Sequence, residues 1–136
     1  MSQISPFAAS INVTVGGGIG ALMRYQLGRA MTKWLGPVAV TTFPWATLTV
    51  NILGSLAMGV LAGWLARHGS IANEQIRLLI GVGVLGGFTT FSSFSLELML
   101  LMERGQAGTA FVYGAVSVLA GLSGLYIGLI IMRIAG

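Results

Sequence analysis

The chain contains no cysteine in its 136 residues, which excludes disulfides, thiolate metal sites and thiol chemistry. Charge is almost as scarce. Only 7% of residues are charged, against about 25% in a soluble domain, while 55% are hydrophobic. Mean hydropathy is +0.90. That deficit excludes an ordinary soluble domain and points to a lipid bilayer. The single histidine, His68, stands beside Arg67 in a connecting loop and reads as a solvated loop residue. A net charge of +4 comes without any basic cluster, so no nucleic-acid partner is expected. The Lys and Arg residues are scattered near helix ends, as membrane anchoring requires. Met1 to Ser10 has no basic segment, so the first apolar stretch is not expected to be a cleaved signal peptide.

What remains is apolar sequence in span-length pieces. A hydrocarbon core of ~30 Å takes about 20 apolar residues per helix. Four segments qualify: residues 7–28, 44–66, 76–102 and 107–132. The expected fold is an all-α membrane protein, one transmembrane domain over residues 1–136 with short connections at 29–43, 67–75 and 103–106. Gly36-Pro37 and Pro44 punctuate the first connection, and Pro44 suits the first turn of the second helix.

Orientation normally follows the Lys/Arg imbalance between the two sides. With four spans, both termini share a side with the second connection. That side carries Arg67, Arg77 and Arg133; the other carries Arg29, Lys33 and Arg104, with Arg24 nearby inside the first span. The sides are balanced, so insertion in both orientations is expected. The 21 glycines include small residues four apart at Gly16/Gly20, Ser55/Gly59/Gly63 and Gly124/Gly128, a spacing that lets helices approach closely. Four thin helices enclose little volume, so a pathway is expected between two copies.

Polar residues interrupt the spans at chosen places. Gly86-Gly87-Phe88-Thr89-Thr90-Phe91-Ser92-Ser93-Phe94-Ser95 lies within the third span. Non-helical backbone at that depth survives only where protein buries it or a polar cavity solvates it. The string therefore reads as a break in the helix beside a pathway or an ion. Gly81, Gly83 and Gly86 spell G-x-G-x-x-G, but no preceding strand is available, so helix packing explains them better than a dinucleotide. Asn51 lies mid-span with Thr47 and Ser55 on the same helix face. It serves either as an interhelical hydrogen bond or as a pathway ligand. Tyr113 and Ser117 form a similar row in the fourth span, followed by Gly121. Arg24 would snorkel or set positive potential at an entrance. Glu97 shares a face with Thr90 and Phe94 and would brace Arg24 or line a vestibule. No carboxylate stands at the centre of a span, so proton or cation exchange lacks its usual ligand. Hydroxyl and amide hydrogens are donors, and aromatic rings have positive edges. Phe91 and Phe94, three apart on a helix, would offer such edges to a small anion.

These residues together resemble the small bacterial fluoride-channel family (Fluc, also called CrcB). The carriers are Gly20 and Arg24, the string Thr47-Leu48-Thr49-Val50-Asn51, and Gly86-Gly87-x-Thr89-Thr90-Phe91-Ser92-x-Phe94-Ser95-x-Glu97. The resemblance covers nearly the whole chain. It implies an antiparallel, dual-topology homodimer in the bacterial inner membrane, exporting fluoride passively as protection against its toxicity. By position, Phe91 and Phe94 would face fluoride with their ring edges, and Asn51 would hydrogen-bond it. Tyr113 and Ser117 would continue a polar track, with Thr90 and Ser93 in the same hydroxyl-rich region. Carbonyls of Gly86 and Thr89 from both copies would hold a structural Na⁺. The family's next track hydroxyl is replaced by Gly121, for which water or Ser123 would compensate. Phe88 stands where a smaller aliphatic residue is usual, a packing change.

Two other readings compete. A proton-coupled small multidrug transporter also has four helices and balanced charge, but needs an acidic residue in the first helix, where this chain has Arg24. A non-transporting scaffold subunit would account for the small residues and leave the hydroxyl-phenylalanine cluster unexplained. No enzyme chemistry is expected.

Overall fold

The computed structural model describes residues 3–69 and 71–136. Ser70, within the second connection, lies outside them, as do Met1 and Ser2. Among the described residues the chain is all-helical, and four stretches are long and apolar enough to cross a membrane: Pro6–Leu35, Trp45–Arg67, Asn73–Glu103 and Ala107–Ile134.

Helix α1, Pro6–Leu35, starts where Ser5 accepts the Ala8 N–H (3.2 Å) and Pro6 supplies a pre-set first turn. It runs seven residues past the expected end at Gly28. Hydropathy falls there, but no helix breaker occurs before Gly36, whose φ of +87° ends the helix, and Pro37. At 1.5 Å per residue its 30 residues span about 45 Å, more than the hydrocarbon, so Arg29 and Lys33 ride on helix that extends beyond it. Helix α2, Pro37–Thr42, fills the rest of what the sequence reads as a loop. The second span is α3, Trp45–Arg67, and the fourth is α7, Ala107–Ile134.

The third span is composite. Helix α4, Ile71–Ile76, passes into a π-helix, Arg77–Leu85, then α5, Gly86–Phe88. Thr89 (φ −81°, ψ 157°) and Thr90 (φ −152°, ψ 117°) are extended, and α6, Phe91–Glu103, follows. Gly86 is helical (φ −64°, ψ −38°), so its role is not to turn the chain. A π-helix of nine residues is rare, since most are single-turn bulges. Nothing in the local sequence announces it.

Glycine sets the packing. A Cβ on Gly83 would lie 2.8 Å from the Gly16 Cα, and one on Gly20 2.8 Å from the Phe88 nitrogen. Helix α1 thus lies backbone to backbone on the π-helix and α5. Gly87 faces the Gly17 backbone in the same seam. On the other side α3 meets α7, where a Cβ on Gly128 would approach the Val60 nitrogen to 2.7 Å and one on Gly59 the Leu125 Cα to 3.0 Å. The small-residue stripes are therefore used within one chain, and they carry no weight for association between chains. Leu48, Leu101, Ala110 and Tyr113 form the core where α3, α6 and α7 meet, with Phe43, Ile52, Phe94 and Leu98 packed around it. Phe88 is buried beside Gly54, a packing role.

Candidate functional site

The site grows from the two extended threonines. In a continuing helix the Thr90 N–H would reach the Gly86 carbonyl. Here it donates to Asn51 Oδ1 at 2.9 Å, and Asn51 Nδ2 donates back to the Thr90 carbonyl at 3.2 Å. Thr90 Oγ1 accepts the Ser93 N–H (3.2 Å) and caps α6. That N–H is the one the Thr89 carbonyl would have used. The carbonyls of Gly86 and Thr89 thereby lose their helical donors, while Thr89 Oγ1 donates to the Leu85 carbonyl (2.8 Å).

Beside this clamp opens a cavity of about 280 Å³, lined by Asn51, Thr89, Thr90, Phe91, Phe94 and Ser117. The rings of Phe91 and Phe94 are tilted at 44° with centroids 5.8 Å apart. Ser117 Oγ is buried without a hydrogen-bond partner among the described residues. Asn51 has spent one amide hydrogen on Thr90, and an amide carries two. It makes the interhelical bond the sequence allowed and still has a donor to offer. Phe91 is 79% exposed, so one chain supplies only one wall.

Above Phe94 stands a triad that sequence reasoning missed. Thr47 Oγ1 donates to Glu97 Oε1 and Tyr113 Oη to Glu97 Oε2, both at 2.7 Å. Tyr113 is fully buried, and its ring centroid lies 5.2 Å from that of Phe94. Glu97 therefore does not brace Arg24; its two oxygens serve helices α3 and α7. Arg24 instead lines a larger cavity of about 770 Å³ with Arg29, Lys33, Thr47, Thr90 and Ser93. Its wall has positive side chains from α1 and hydroxyls from α3 and α6. Thr90 borders both cavities, whereas Ser93 borders only the larger one.

Opposite Gly121, a Cβ would stand 3.5 Å from Ser55 Oγ. Ser55, four residues beyond Asn51, places a hydroxyl where Gly121 has none, and Ser123 is exposed elsewhere on α7. Among the described residues no three His, Cys, Asp or Glu side chains group to hold a metal. A cation here would rest on backbone oxygens. The freed carbonyls of Gly86 and Thr89 suit a hard, singly charged ion.

The family model described as CrcB-like protein, Camphor Resistance (CrcB), matches residues 11–129. A protein of Erythrobacter litoralis named Fluoride-specific ion channel FluC is 54% identical over 134 residues, covering 98% of each chain. One of the same name from Novosphingobium aromaticivorans is 58% identical over 125 residues, covering 92% of this chain and 96% of its own. A third, from Caulobacter vibrioides, is 46% identical over 121 residues, covering 89% and 92%.

Proposed function

This chain belongs to the CrcB-like family, and on that premise we propose that it is a fluoride-specific ion channel giving passive export of fluoride across the bacterial inner membrane. It is a multi-pass bacterial membrane protein. A channel performs no covalent chemistry, so its residues bind, orient and exclude water. The observation that carries the reading is the Phe91–Phe94 cavity. It brings an amide hydrogen of Asn51 and the orphaned hydroxyl of Ser117 beside the rings of Phe91 and Phe94, with Thr89, Thr90 and Val118 completing the lining. Those donors and rings offer an anion hydrogens and positive ring edges. A multidrug transporter's carboxylate is missing from α1, and a scaffold has no use for a buried unpaired hydroxyl. Fluoride release from liposomes holding only the purified chain tests the reading.

The working unit is an antiparallel, dual-topology homodimer with a pore along each copy's broken third span. Two observations support this. Gly86, Phe91 and Ser92 are exposed on the single chain, beside the freed carbonyls. Polar backbone of that kind does not face lipid at membrane depth, and a second copy would cover it. The Lys/Arg balance, three residues against three, gives insertion no preferred side. Reporter fusions at Gly136 should then give signal from both faces of the membrane. Signal from one face alone would contradict dual topology. Extra lysines on one side should lock a copy and silence it, until an oppositely locked copy is co-expressed.

The carbonyls of Gly86 and Thr89 from both copies would hold Na⁺ at the dimer centre. The ion would supply positive charge to oxygens that the extended threonines leave without N–H partners. A crystal structure grown in sodium should show density there with oxygen ligands from both copies. Helical i to i−4 bonding through residues 84 to 92 would rule the site out.

A further inference from the structure

A carboxylate holds two hydroxyl donors one ring away from the Phe91–Phe94 cavity. Glu97 receives the hydroxyls of Thr47 and Tyr113, one on each oxygen, at 2.7 Å. That is near the length of charge-assisted O–H···O⁻ bonds. Tyr113 is fully buried, which leaves its hydroxyl no ready exchange with bulk water, and Thr47 is largely buried. The position is a junction. Phe94, a wall of the Phe91–Phe94 cavity, packs its ring on Tyr113. Thr47 also borders the large Arg24 cavity. With Glu97 it borders a further cavity of about 240 Å³ that reaches Arg104. Arg104 is not paired with Glu97; its Nη1 donates to the Thr41 carbonyl at 3.2 Å.

The geometry points to Glu97 as a tethered anion that competes with fluoride for the Thr47 and Tyr113 hydroxyls, so that a passing ion displaces the carboxylate from at least one of them. This rests on the fluoride-channel reading above. A carboxylate oxygen and fluoride are both small, negative and acceptor-only. Each hydroxyl has one hydrogen, so it serves one of the two at a time. The competition has a use. A pair of largely buried donors would bind fluoride firmly, and conduction requires that each ion also leave. A tethered competitor re-forms its bonds as the ion departs, which offsets the cost of release.

The chain's composition makes the test direct. Its three acidic residues are Glu74, Glu97 and Glu103. Glutamate labelled with ¹³C at the carboxyl carbon therefore gives three signals from the full protein, assigned with Glu74→Gln and Glu103→Gln. Glu74 is an exposed partner of Arg77 and Glu103 lies at the end of α6, both away from the junction. Fluoride titration of the wild-type protein should move the Glu97 signal saturably, and the other two should stay. In efflux assays Glu97→Gln, which removes the charge at nearly constant shape, should lower the half-saturating fluoride concentration at least about threefold. In a Tyr113→Phe background that decrease should shrink, because one contested donor is gone. A brace between helices predicts lowered stability with unchanged half-saturation. If Glu97→Gln fails to fold, the wild-type carbon signal decides alone. A Glu97 signal that stays fixed while the same protein releases fluoride overturns the inference and leaves the channel reading standing. Wild-type protein that releases no fluoride overturns both.

Discussion

Isoleucine in place of Phe91 or Phe94 is expected to cut fluoride efflux from proteoliposomes at least about tenfold while the protein keeps its oligomeric size. Isoleucine fills similar space but has no quadrupole, so it offers an anion no positive edge. A purely packing role predicts a different pattern: a stability cost under about 1.5 kcal/mol for a volume-conserving change, with transport largely intact. The two residues are not equivalent as packing elements. Phe94 is half-buried against Tyr113, while Phe91 is mostly exposed on the single chain. Phe91→Ile should therefore cost the fold less than Phe94→Ile, yet both should lose efflux. Size-exclusion chromatography on the same preparation separates lost function from lost assembly. Normal efflux in both single variants and in the double variant would return these rings to ordinary packing.

Asn51→Asp is expected to abolish efflux. An aspartate can still accept the Thr90 N–H, but it has no hydrogen for the Thr90 carbonyl and brings a negative charge into the cavity. A unit charge ~4 Å from an anion costs about 4 kcal/mol at an effective dielectric near 20. That corresponds to roughly a thousandfold in occupancy. If Asn51 only ties α3 to the extended threonines, the substitution should loosen the fold and leave the surviving protein conducting within about threefold of wild type. Efflux per folded protein distinguishes the two.

The parts of this architecture that depend on local pattern were readable from sequence. The four spans follow from hydropathy and length. The Thr89–Thr90 region and its polar surroundings stand out because Gly, Ser and Thr crowd an otherwise apolar segment. Helix α1 outruns the apolar segment 7–28, because hydropathy marks the stretch that suits lipid and not the end of the helix. The backbone obeys breakers instead, and none occurs before Gly36-Pro37. The glycine stripes were legible as close-approach sites, yet spacing alone does not say whether the neighbour is the same chain or another copy. Gly16 and Gly20 meet the π-helix and α5, and Gly59 and Gly128 meet across α3 and α7.

The site was half legible. Asn51, Phe91, Phe94 and Ser117 do line one cavity. The Thr47–Glu97–Tyr113 triad was not readable, because Thr47 and Glu97 lie 50 positions apart and nothing local joins them. Arg24 was the obvious partner for Glu97 by charge, but Glu97's oxygens are satisfied by buried hydroxyls from its neighbouring helices. Ser55 shares the Asn51 face by spacing alone, but its place opposite Gly121 depends on how α3 and α7 pack.

If this chain alone conducts fluoride, it needs no other protein to empty a vesicle of the ion. The most direct measurement is fluoride release from liposomes containing only the purified protein, with a potassium ionophore to compensate the moving charge. Rapid fluoride release should begin on adding ionophore, with chloride retained in parallel vesicles. No release, or equal release of chloride, would contradict it.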